Sequence, residues 1–254
     1  MTDDTSLAVH CVLASRRGQH PVNEDAVAFA GWVLHADRGD LLEVTLSSDG
    51  TGPLRLAVAD GMGGRPAGAT AARVAVEVLT GLPSTVGAAD PAWLRTLFES
   101  ADDAVRAAAT DSTAGLGCAA AYLEIGADGA SVVANVGDVR VYQSLDGYLA
   151  VLTRDDRRPV RDPRAPGYVT RCLGGSRRDD VTPHRFALQL HPGDALFMIT
   201  DGGYDLLEDA RLEASLDRSL RTTVEQMVAA ALDAGTADDV TVLAVELLRS
   251  PPAG

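Results

Sequence analysis

Short apolar runs separated by turn residues make up most of this chain. Residues 9–14 and 26–30 read as strands on either side of Asn23-Glu24-Asp25. Residues 41–46 and 54–59 flank Ser48-Asp49-Gly50 and predict a hairpin, because Asp-Gly between apolar runs is a favoured hairpin turn. The same chemistry at Asp128-Gly129 and Asp146-Gly147 joins residues 119–125, 131–136, 139–144 and 148–152 into a predicted meander. Residues 186–190, 195–200 and 240–248 complete the strand set.

Helical periodicity interrupts the strands. The spacing of Val74, Val78 and Leu79 predicts a helix over 69–80, stopped by Gly81 and Pro83. Asp90-Pro91 opens a second helix in cap-then-proline order. Its apolar stripe is Trp93, Leu94, Leu97, Phe98, Ala101 and Val105. A third, over 223–234, ends at Gly235. Antiparallel hairpins with helices inserted in blocks predict an α+β architecture, not an alternating parallel sheet.

Composition narrows the class. The 254 residues carry no linker, repeat or low-complexity tract, and 46% are apolar, enough to bury a core. The expectation is one domain over 1–254, its motifs spanning 10–248 before a short tail. No apolar run reaches the ~18 residues of a membrane span. The opening Met-Thr-Asp-Asp-Thr does not read as a signal peptide. Cys11, Cys118 and Cys172, odd in number and far apart, read as reduced thiols of a cytoplasmic protein. The net charge is −14, and every strong side-chain cation is an arginine. Such acidity argues against nucleic-acid or anionic-membrane partners. Arginines gather locally at Arg16-Arg17, from Arg154 to Arg164 and at Arg177-Arg178, as solvated loops or as a landing surface for a phosphorylated partner.

Chemistry enters through the aspartates. Apolar runs end on Asp60-Gly61, Gly137-Asp138 and Asp201-Gly202, and Asp238-Asp239 precedes Val240-Thr241. Carboxylates at strand ends from distant parts of one chain suit a hard divalent cation. A lone Asp in such a place more often caps its own turn, so the weight lies on the set. No cysteine lies in a Cys-x5-Arg phosphate loop, which disfavours cysteine-dependent phosphatase chemistry.

In order, Asn23-Glu24-Asp25, Asp60-Gly61-Met62-Gly63-Gly64, Gly137-Asp138-Val139-Arg140, Asp201-Gly202 and Asp238-Asp239-Val240-Thr241 resemble the motifs of the metal-dependent serine/threonine phosphatases of the PP2C (PPM) family, bacterial type. The resemblance implies two stacked antiparallel β-sheets flanked by helices, with the metal site at one end between them. It implies two Mn2+ or Mg2+ ions: Asp60 bridges them, Gly61 offers its carbonyl oxygen, Asp201 and Asp238 complete the first ion, and Glu24 holds its water. Asp138 matches the position that binds a third, weaker ion in bacterial relatives. The implied reaction is hydrolysis of phosphoserine and phosphothreonine by direct attack of a metal-bound water, with no covalent phosphoenzyme. The implied partners are phosphorylated proteins, including a Ser/Thr kinase or its targets, met by a monomer.

Several positions depart from the family pattern. His20 stands where an arginine usually grips the substrate phosphate, and it lacks that residue's bidentate fork. Arg16 or Arg17 are the substitutes if the following loop folds back. Met62 stands where eukaryotic relatives carry a histidine, Asp239 where Asn is usual, and Val139 where Ser is common. The stretch after Thr153-Arg154-Asp155-Asp156 is short where relatives carry a flap implicated in substrate choice. The same fold could serve as a pseudophosphatase binding module, a reading that the His20 change motivates and the intact acids oppose. A hydrolase acting on other phosphoesters is a third reading.

Overall fold

The computed structural model describes residues 7–34, 38–47, 52–62, 67–82, 90–158, 168–176 and 180–249. Its strands are β1 (Leu7–Arg16), β2 (Ala26–Phe29), β3 (Trp32–Leu34), β4 (Arg38–Ser47), β5 (Leu54–Met62), β6 (Gly117–Ile125), β7 (Ala130–Val136), β8 (Arg140–Leu145) and β9 (Tyr148–Val151). After these come β10 (Arg157–Arg158), β11 (Tyr168–Val169), β12 (Leu173–Gly174), β13 (His184–Gln189), β14 (Ala195–Ile199) and β15 (Val240–Arg249). The helices are α1 (Ala67–Gly81), α2 (Pro91–Ala107), α3 (Asp209–Glu213) and α4 (Leu220–Asp233). Among the described residues no helix is long and apolar enough to cross a membrane.

Two antiparallel sheets stack face to face. One runs β4-β1-β15-β14-β8-β9; the other runs β13-β7-β6-β5-β2-β3, with β12 added beside β6. Strand β6 shows why they stack, since all nine of its residues are buried. Successive side chains point to opposite faces. Ala119, Ala121, Leu123 and Ile125 enter the core between the sheets with Val9, Leu13, Leu243 and Val245. Ala120 and Tyr122 face the other way, onto Ala71, Ala72 and Ala75 of α1 and Phe98 of α2. Small residues on both sides let helix and sheet approach closely. On the outer face of the β4-β1-β15-β14-β8-β9 sheet, Val224, Met227 and Ala231 of α4 pack on Val12, Ala14, Val242 and Ala244. The layers are therefore α/β/β/α, the stacked arrangement expected.

Helix starts follow the local code. Asp90 accepts the backbone N–H of Ala92 at 2.8 Å ahead of Pro91, and Ser219 caps α4. The Asp146-Gly147 turn is also as expected. Both residues have positive φ, 50° and 89°, which a tight hairpin between β8 and β9 demands.

Two strand-pairing expectations fail. Strands β4 and β5 form no hairpin: β4 pairs with β1, while β5 pairs with β2 and β6 in the other sheet. The predicted meander also breaks. Strands β6 and β7 pair in one sheet and β8 and β9 in the other, so the chain crosses between sheets at Gly137-Asp138-Val139. In a sandwich a run of turn residues serves equally well to reverse a strand or to pass it to the facing sheet. The turn Ser48-Asp49-Gly50, Pro83, Gly63-Gly64, Arg161, Arg164 and Arg177-Arg178 lie outside the described residues.

Candidate active site

The fold places acids from five parts of the chain at one end of the sandwich. Glu24 and Asp25 precede β2, and Asp60 sits in β5 opposite Ala119. Asp138 lies between β7 and β8. Asp201 opens a short turn after β14, and Asp238-Asp239 precede β15. Pairing Arg16 with Val240, and Ala26 with Ala59, brings these termini to the same end. Gly61 is needed there for space: a Cβ on it would lie 2.2 Å from the Gly68 carbonyl oxygen and 2.6 Å from that of Glu24. The end of β5, the first turn of α1 and the Glu24 backbone thus touch. Gly68 carried no motif that sequence reading could have used.

A buried polar network fixes these backbones. Asp239 accepts the backbone N–H of Gly18 at 2.8 Å and of Glu24 at 2.7 Å. Asn23 donates to the Ser15 hydroxyl, which bonds that of Thr241, both at 2.8 Å. Thr200 accepts the Thr241 N–H and donates to Asp25 Oδ2, both at 3.0 Å. All but the Asn23–Ser15 bond join segments distant in sequence, so the network ties the loop before β2 to the ends of β14 and β15.

The electrostatics show what the site wants. Burial pushes the Asp60 carboxyl well above the usual carboxylate range, and the charges of Asp201, Asp25, Asp238 and Asp138 push it further. Burial raises Asp201 to about 6, with Asp238 and Asp205 adding to the shift and Arg157 opposing it. Burial also raises Asp25, against the pull of hydroxyl bonds from Thr241 and Thr200. The buried oxygens Asp201 Oδ1 and Asp25 Oδ1 have no hydrogen-bond partner. Clustered carboxylates with partnerless buried oxygens fit hard divalent cations, which bind through oxygen.

Among the described residues, the group of three metal-type ligands whose ligand atoms lie within 4.8 Å of one another is His20, Asp238 and Asp239. His20 Nδ1 lies 3.6 Å from Asp238 Oδ1 and 3.5 Å from Asp239 Oδ2, and Asp239 is already committed to two backbone N–H groups. The exposed His20 side chain therefore sits at the rim beside Asp238. Arg16 bonds the Ser15 carbonyl at 3.1 Å, and Arg17 bonds that of Pro21 at 2.8 Å, across the loop carrying His20.

Arg157 is the residue that sequence reading missed. Its Nε lies 3.1 Å from Asp138 Oδ2 and its Nη2 lies 3.3 Å from Asp201 Oδ2. Both Asp205 oxygens accept from the same guanidinium, one of them at 2.9 Å. Burial and the neighbouring Asp201 nevertheless carry the Asp138 carboxyl up to about 7, outweighing the Arg157 ion pair. Tyr204 donates to the Asp138 carbonyl at 2.5 Å, and Arg140 lies 4.0 Å over the Tyr204 ring.

The family model described as Protein phosphatase 2C matches residues 35–235. The chain belongs to the protein phosphatase 2C family. Members are protein serine/threonine phosphatases, and the matched span holds the Asp60, Asp138 and Asp201 motifs. Among solved structures, the chain is similar to the S. agalactiae serine/threonine phosphatase, at TM-score 0.76 and 20% identity over 94% of this chain and 99% of that one. It is similar to PppA, a key regulatory component of T6SS in Pseudomonas aeruginosa, at TM-score 0.72 and 25% identity over 95% and 100%. It is also similar to the catalytic domain of the phosphatase PstP, solved with two manganese ions, at TM-score 0.72 and 22% identity over 95% and 99%. No curated protein sequence matches it significantly.

Proposed function

We propose that this chain is an active, metal-dependent phosphatase that hydrolyses phosphoserine and phosphothreonine in proteins by direct attack of water. The supporting observation is the convergence of Asp60, Asp201 and Asp238 at one end of the sandwich, with Asp201 Oδ1 buried and partnerless. These three carboxylates and the Gly61 carbonyl would hold two ions, Mn2+ or Mg2+. Two such ions would supply a nucleophile from water at neutral pH and neutralise phosphoryl oxygens in the transition state. Glu24, its backbone N–H fixed by Asp239, would orient the attacking water. Substrate phosphate would approach past the exposed His20, with Arg16 at the end of β1 and Arg17 at the start of the same loop.

A phosphopeptide panel assayed with Mn2+ tests this reading. Turnover should vanish in EDTA and return with metal. Asp60→Asn and Asp201→Asn should each lower it by at least two orders of magnitude, since each removes charge from the ion pair that activates water. Wild-type rates in EDTA or in Asp60→Asn would sink the two-ion reading. One observation favours the second reading, a binding module without turnover: the exposed His20, where an arginine would grip phosphate, lies within 3.6 Å of the Asp238 and Asp239 carboxylates. That reading predicts phosphopeptide binding with no release of phosphate at any metal concentration.

A further inference from the structure

We propose that the guanidinium of Arg157 is a resident cation that takes the place of a third metal ion between Asp138, Asp201 and Asp205. The Arg157 side chain is 14% exposed, and the Asp138 side chain beside it only 2%. Three carboxylates therefore share one largely buried positive charge. A divalent ion at Asp138 would need Asp138 Oδ2 and the near oxygens of its neighbours. Asp138 Oδ2 lies 3.1 Å from Arg157 Nε as a charge contact without hydrogen-bond geometry, Asp201 Oδ2 accepts from Nη2 at 3.3 Å, and Asp205 binds the guanidinium through both oxygens.

The backbone holds the arginine in place. Arg157 pairs with Val169 in the two-stranded ribbon of β10 and β11. The preceding residue, Asp156, donates its N–H to the Gly137 carbonyl at 2.9 Å and accepts the Gly137 N–H at 3.1 Å. His184 at 2.9 Å and Arg171 at 3.2 Å grip the same Asp156 carboxylate. The Arg157 backbone is thus tied to the segment that carries Asp138.

The substitution has chemical consequences. A guanidinium stays protonated throughout the working pH range and is planar, so it can bridge several carboxylates. It carries one charge where a metal carries two, brings no water ligand and cannot be removed by a chelator. By engaging Asp201 Oδ2 it also orients that carboxylate and leaves Oδ1 as the free oxygen. Arg157 is on this view a positioning residue for Asp201 as well as a counter-ion for Asp138.

Counting bound Mn2+ by equilibrium dialysis, without any assay of turnover, tests this. Arg157→Ser should bind one more ion per chain than wild type, and adding Asp138→Asn to it should remove that extra ion. Asp138→Asn in the wild-type background should bind as many ions as wild type. An Arg157→Ser protein that folds and gains no ion overturns the proposal. So does loss of one ion in Asp138→Asn alone, a measurement that stands even if Arg157→Ser does not fold. The proposal rests on the two-ion reading only for the absolute count. A wild-type count other than two tells against that reading, while the difference between variants judges Arg157 separately.

Discussion

Asp239 Oδ2 accepts the backbone N–H of Glu24 at 2.7 Å, a bond between residues at opposite ends of the chain. The other oxygen of Asp239 takes the Gly18 N–H at 2.8 Å, so one buried carboxylate closes the whole loop between β1 and β2. Hydrogen bonds to a charged acceptor contribute about 1.5–3 kcal/mol each. Asp239→Ala should therefore lower the thermal midpoint by several degrees and, by releasing Glu24, lower turnover more than it lowers metal affinity. Asp239→Asn keeps one acceptor oxygen and should fall between the two. Thermal denaturation beside metal titration checks the order.

Metal binding and pH should be linked with a definite sign. A carboxyl whose pKa is raised by folding adds stability at low pH and loses it as pH rises through the raised value. Asp201, raised to about 6, and Asp60, raised by burial beside it, place that loss above about pH 4. Cations replace the lost protons. The gain in thermal midpoint on exchanging EDTA for Mn2+ should grow from about pH 5 to about pH 7.5, by on the order of 5 °C. A gain that is flat or shrinks over this range would mean that these acids do not share their site with the ion.

The fold class and the acids were legible because both are written in short segments. Apolar runs gave the strands, Asp90-Pro91 gave the start of α2, and Asp-Gly steps marked the carboxylates. Strand partners were not legible: β4 and β5 carry the pattern of a hairpin, yet each finds its partners in a different sheet. Arg157 was hidden for the same reason. In sequence it belongs to an Arg/Pro-rich run that reads as a solvated loop or a landing surface for a phosphorylated partner, and only the packing of β10 beside Gly137 turns it inward onto Asp138. Gly68 likewise gains meaning only from its contact with Gly61 and Glu24.

The thiols should divide by burial. Burial pushes the Cys11 thiol up to about 12 and raises Cys118 as well, so both stay protonated and shielded. Cys172 is only partly buried. A chromogenic disulfide reagent at mildly alkaline pH should label no more than one thiol per chain in the native protein and three after denaturation. Rapid labelling of two or three native thiols would contradict the packing of β1 and β6 around Cys11 and Cys118.

His20 is the position where substrate affinity should be tunable. Its ring lies 3.6 Å from Asp238, at the exposed rim of the acidic cluster. A phosphate arriving there meets one imidazole where an arginine would offer two parallel hydrogen bonds. His20→Arg should lower KM for phosphopeptides several-fold. It should leave kcat within about threefold, because uniform binding of substrate and transition state changes KM alone. His20→Ala should raise KM modestly and leave the count of bound ions unchanged, since the imidazole is paired with Asp238 and not placed between Asp60 and Asp201. If neither variant moves KM, His20 serves only as a partner for Asp238 and Asp239, and the phosphate is held elsewhere. Arg16→Ala and Arg17→Ala, from the strand end and loop that carry His20, then become the decisive pair.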